Sequence, residues 1–190
     1  MGVPNGYTSA QVVQAVPTGI QSALVCVKAE TAFSAVSNVT VDNIFTSTYT
    51  NYKIVIEYQS STTNDSVFQL RASGTASTTG YYRQRLIAQT TSTYASKVDN
   101  QSSLDLMNHT DGAFLGFVDL TLYSPQLAQD TLFQAFVNSP TGPSVGYDTM
   151  YAGYKFGAHD VATAYDGFII SCSTGTITGK YTIYGYAKTV

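Results

Sequence analysis

The sequence predicts an all-β fold: an antiparallel β-sandwich, jelly-roll-like, preceded by an N-terminal arm that is extended or briefly helical. Three observations predict it. About ten short segments dense in Thr, Val, Ile, Tyr and Phe recur along the chain, and these residues fit a pleated, half-buried surface. Several of the segments alternate apolar and polar residues with period two. Turn-rich stretches separate them, such as Ser73-Gly74-Thr75-Ala76-Ser77-Thr78-Thr79-Gly80 and Pro140-Thr141-Gly142-Pro143. Many short strands joined by polar turns build a sandwich, and a jelly roll is the commonest way to join eight or more of them in two sheets.

The arm comes first in the chain. Residues 1–22 contain no Lys, Arg, Asp or Glu. Ser9 stands as an N-cap for a two-turn helix over 9–16 that Pro17 and Gly19 would end. Val12, Val13 and Val16 are poor helix formers and favour an extended alternative. Val3, Tyr7, Val12, Val13, Val16 and Ile20 would expose apolar surface unless they docked. Either the arm packs back on its own sandwich or it anchors the chain to a partner, and a docking arm is the expectation. The N-terminus has neither a basic region nor an apolar stretch of signal-peptide length, which predicts synthesis in the cytoplasm without a signal peptide.

Residues 23–190 are expected to form one sandwich domain, with strands over 23–29, 36–41, 52–59, 66–73, 82–90, 114–123, 131–138, 149–156, 167–173 and 177–188. The segment 52–58 shows the pattern best: Tyr52, Ile54, Ile56 and Tyr58 face one way, Lys53 and Glu57 the other. Phe114-Leu115-Gly116-Phe117-Val118 and Phe168-Ile169-Ile170 are apolar on both faces, as in strands covered on both sides. Ser103 to Asn108 reads as one helical turn. Cys26 and Cys172, each inside an apolar run, read as two buried thiols, with a disulfide as the alternative.

Composition removes several classes of function. Charged residues make up 11%, the net charge is −3, and 26 Thr with 19 Ser give a surface of hydroxyl and amide groups. Nucleic-acid binding needs clustered Lys and Arg, and none occur. No apolar run approaches the ~18 residues of a membrane-spanning helix. A core-forming 44% of hydrophobic residues argues against disorder. The four Asn-x-Ser/Thr triplets, at Asn38, Asn64, Asn100 and Asn108, follow from composition.

The search for chemistry finds no signature. His109 with Asp111 and His159 with Asp160 lack the spacings of a metal site, and Asp99, Asp105 and Asp111 lack the alternation and distal Glu of a calcium loop. There is no Gly-x-Ser-x-Gly elbow. The two glutamates, Glu30 and Glu57, sit on polar faces of strands, so no catalytic pair, metal or cofactor is expected. Tyrosines near turns offer an apolar ring with a polar tip, and Tyr81, Tyr82 and Tyr154 are the candidate glycan contacts.

Three segments carry a resemblance. They are Phe33 to Phe45 leading through Thr48-Tyr49-Thr50-Asn51-Tyr52 into Lys53-Ile54-Val55-Ile56; Leu70-Arg71-Ala72-Ser73-Gly74-Thr75 followed by Tyr81-Tyr82; and Gly175 to Tyr186. In this order they resemble small β-sandwich modules of bacteriophage virion proteins, of the tail-fibre or head-surface type. The resemblance implies a non-enzymatic virion structural protein, trimeric, bound to other capsid or tail proteins and displayed on the particle surface. The short arm favours a capsid decoration (cement) protein or short-fibre subunit. A tail-fibre module that recognises host surface glycans is the alternative.

Overall fold

The computed structural model describes residues 24–62, 64–89, 91–109, 115–140 and 150–188. Its strands are β1 (Leu24–Val36), β2 (Asn38–Val41), β3 (Asn51–Ser60), β4 (Asn64–Ala72), β5 (Thr75–Ala76), β6 (Tyr81–Gln89), β7 (Ser92–Gln101), β8 (Leu104–His109), β9 (Gly116–Tyr123), β10 (Thr131–Pro140), β11 (Met150–His159), β12 (Gly167–Cys172) and β13 (Ile177–Tyr186). All described regular structure is strand. The helix expected over 9–16 and the arm residues Val3, Tyr7, Val12, Val13, Val16 and Ile20 lie outside the described residues.

Every pairing is antiparallel. The large sheet runs β1-β13-β3-β9-β10-β11-β6-β7, and the small sheet runs β2-β12-β4, with β5 and β8 both pairing β4. The two sheets share one core. β3 alternates buried and half-buried residues along its whole length, with Tyr52, Ile54, Ile56 and Tyr58 inward as the period-two pattern predicts. Val118, Leu120 and Leu122 of β9 join them, and the small sheet answers with Phe68, Leu70, Leu104, Leu106, Phe168 and Ile170. Each such side chain contributes about 1.5–3 kcal/mol by leaving water.

Polar ties fix the sheets to each other. The Tyr58 and Ser66 hydroxyls are hydrogen-bonded across the core, and Ser66 donates onward to the Met107 carbonyl at 3.2 Å. The Leu70 amide donates to the Tyr81 hydroxyl at 2.7 Å.

Three expectations need correction. Residues 103–108 form no helical turn, because most of the segment belongs to strand β8. Leu104 and Leu106 are both buried with Asp105 between them, a strand's period rather than a helix's. β7 was not expected at all. Only one of its faces is covered, by Tyr94, Ser96 and Val98, so its apolar content is low. Finally, Cys26 is exposed on β1, and both cysteines are free thiols.

Candidate functional site: the outer face of the large sheet

Between them, β10, β11 and β6 point two different sets of side chains to the two faces of the large sheet. Inward lie Tyr151 and Lys155 of β11 and Arg83 and Arg85 of β6; the three cations converge on Asp105 of β8, and Tyr151 joins them through Arg85. Lys155 Nζ donates to the Asp105 carboxylate at 2.7 Å and to its main-chain carbonyl at 3.0 Å. Arg83 forms an ion pair with the same carboxylate, and Arg85 approaches it at 3.5 Å while donating to the Tyr151 hydroxyl at 2.9 Å and to Ser96 at 2.7 Å. Burial pushes the Lys155 ammonium down to about 8, with Asp105 opposing that shift and the two guanidinium groups adding to it. Arg83 Nη1 is buried without a hydrogen-bond partner. The cluster ties the edge strand β8 to the large sheet, which is a structural task.

Outward, the same three strands present three cross-strand rows. Phe136, Tyr154 and Leu86 form one, Gln134, Phe156 and Gln84 the next, and Leu132, Ala158 and Tyr82 the third. Tyr154 is 61% exposed, Leu86 55%, Leu132 54% and Phe156 47%. The Phe136 and Tyr154 rings meet at 5.3 Å between centroids. A groove of about 710 Å³ opens over the second and third rows, with Tyr123 of β9 and Lys97, Val98 and Asp99 of β7 completing its walls. Such a volume suits a ligand or a short stretch of chain.

Few charges touch this half of the face. Lys97 is paired with Asp99 at 2.8 Å on the rim, and that hydrogen bond raises its pKa. The Tyr82 hydroxyl is bound to the Asp160 carboxylate, which raises its pKa and holds the ring at the groove wall. The other half of the face is different: Lys53 pairs with Asp119 at 2.7 Å, and Lys180 with Glu30 at 3.0 Å and Glu57 at 3.7 Å. The face is thus divided into a charged half on β1, β13, β3 and β9 and an apolar half on β10, β11 and β6.

Of the tyrosines singled out as glycan contacts, Tyr82 and Tyr154 lie on this outer face. Tyr81 does not: it is buried, with its hydroxyl bound to the Leu70 amide. Adjacent residues of a strand face opposite ways, so the pair Tyr81-Tyr82 could not serve one surface. Tyr123 and Phe156, missed in the sequence, share the outward parity of their strands.

One buried histidine resembles a catalytic dyad at first sight. His159 Nε2 lies 2.9 Å from the Ser77 hydroxyl. Its Nδ1 faces the Val161 amide at 3.4 Å, and an amide can only donate, so Nδ1 accepts and Nε2 carries the proton. That nitrogen therefore donates to Ser77 instead of taking its proton. Burial lowers the ring's pKa, with the nearby Asp160 carboxylate opposing the shift. Among the described residues no three His, Cys, Asp or Glu side chains are grouped to hold a metal ion. The His109 side chain and Asp111 lie outside the description.

No family model, curated protein or solved structure matches this chain.

Proposed function

We propose that the chain is a non-enzymatic structural subunit of a bacteriophage virion surface, a decoration or short-fibre protein that works by covering other proteins and being covered by them. The observation that carries this reading is the apolar outer face of β10, β11 and β6. Contiguous exposed Leu, Phe and Tyr side chains mark an interaction surface.

The strand order supports a jelly roll at the centre of the molecule. β1 pairs β13, β2 pairs β12, β3 pairs β9 and β4 pairs β8, so four strands meet the last four of this set in reverse order. That is one long hairpin wrapped into two sheets, the architecture of viral capsid and lectin domains. On this reading β6-β7 and β10-β11 are inserted hairpins. They pair with each other through β11 and β6 and widen one sheet. The apolar rows belong to these insertions alone, which is where a fold carries a grafted function.

Virions purified from cells that express the chain test the proposal. Immunogold labelling is expected on the particle surface, and the Tyr154→Asp/Phe156→Asp double variant is expected to lose at least tenfold in occupancy. Absence of the chain from purified particles would overturn it. The second reading, a receptor module for host surface glycans, draws on the groove's rings beside Gln84 and Gln134 and on Tyr154 in the adjoining row. It requires saccharide binding that Tyr82→Ala and Tyr154→Ala abolish.

A further inference from the structure

Resting on the glycan reading of the outer face, we infer that a second hollow on that face, centred on Thr121 of β9, is a subsite for one neutral sugar ring. Its shape begins with side-chain length. Lys53, Thr121 and Gln134 stand side by side in one outward row across β3, β9 and β10. Thr121 is the short member between two long ones, so it forms a floor and its neighbours form walls. Asp119, Phe136 and Tyr154 of the next row, with Tyr186 of β13, close a hollow of about 390 Å³. That volume falls in the range of small-ligand sites.

Two features of the hollow point to a ligand that carries hydroxyl groups. Thr121 is only 5% exposed and lines the hollow, yet its hydroxyl has no hydrogen-bond partner among the described residues. A buried hydroxyl left unpaired costs free energy that a ligand hydroxyl would recover. Beside it Lys53 Nζ pairs with Asp119 at 2.7 Å, and both side chains keep more than a quarter of their surface open, 27% and 29%. The pair offers donors and acceptors together and carries no net charge.

The walls decide which hydroxylated ligand fits. The hollow straddles the boundary between the two halves of the face. Its β3 and β9 side holds the ion pair and Thr121, and its β10 and β11 side holds the Phe136 and Tyr154 rings. An apolar segment of protein would bury the pair and the hydroxyl without satisfying them. A charged ligand would meet an already neutralised pair, one member of which repels it. A pyranose ring suits both sides, because it carries C–H bonds on its faces and hydroxyls around its rim. Gln134 is common to this hollow and the larger groove, so a longer glycan has a path from one into the other.

Saturation-transfer NMR of the full-length chain tests this, with the methyl glycosides of glucose, galactose, mannose and N-acetylglucosamine as probes. At least one of them is expected to receive saturation. Thr121→Val keeps the shape and removes the hydroxyl, so it is expected to weaken that binding about tenfold, and Thr121→Ser to restore it. Tyr186→Ala is expected to weaken it as well, with unchanged circular dichroism in all three variants. Binding that Thr121→Val leaves intact would overturn the inference. Loss in Tyr82→Ala alone would place the ring in the groove, which overturns the inference while the glycan reading survives. If no glycoside receives saturation the inference fails, and an equally blank array of host-surface glycans would remove the glycan reading too. If the blank accompanies self-association that Tyr154→Ser/Phe156→Ser abolishes, a second copy covers the hollow and the inference is overturned.

Discussion

Asp105 carries more consequence than any other side chain here, because it faces Lys155, Arg83 and Arg85 together. Asp105→Asn would leave three cations without a counter-charge, two of them almost wholly buried. Breaking a buried pair in this way costs about 3–5 kcal/mol, which urea unfolding would register as a lower midpoint. Lys155→Met should be near neutral or stabilising, because it removes a desolvated charge and keeps the volume. The pH dependence supplies an independent check. Lysine in the unfolded chain holds its proton to near 10.5, and Lys155 in the folded chain to about 8. Between those values the unfolded chain binds the extra proton, so rising pH favours the folded state by up to about 3 kcal/mol. The stability gap between Lys155→Met and wild type should therefore narrow from pH 7.5 to 9.5, and a constant gap would refute the assignment. Parity in a strand would have disclosed this cluster beforehand. Arg83 and Arg85 alternate in step with Tyr81 and Ile87, both buried, but charge alone argues for solvent and hides the pattern.

At the scale of elements, strong alternation made β3 and β13 legible, and apolar content made β9 and β12 legible. β7 and β8 were not. Each is an edge element with one covered face, and β8 has an aspartate in its centre whose partners come from strands 20 to 50 residues away. Such long-range compensation leaves no local trace. β11 depends on its glycines: a Cβ at Gly157 would sit 1.9 Å from the Tyr82 carbonyl and 2.9 Å from the Phe133 ring. Gly157→Ala should force β11 off β6 and cost about 1–3 kcal/mol. Amide exchange should quicken first in β6 and β11 of that variant, and uniform acceleration across the molecule would contradict the local account.

Across the whole molecule, the two edges of the large sheet are guarded against strand addition. β1 has register shifts at three places along its ladder with β13, and Lys28 and Glu30 lie on it. β7 presents Lys97 and Asp99. Association is thereby directed to the face, where β10, β11 and β6 expose their rows. The sandwich class was readable from periodicity, whereas the division of its outer face into charged and apolar halves was not, because it arises only when distant strands are set side by side. Sedimentation equilibrium of the full chain tests this account most directly. We expect a trimer, three times the 20.4 kDa chain mass, that falls to one chain mass in Tyr154→Ser/Phe156→Ser with unchanged circular dichroism. A wild-type chain that remains at single-chain mass across all accessible concentrations would contradict it.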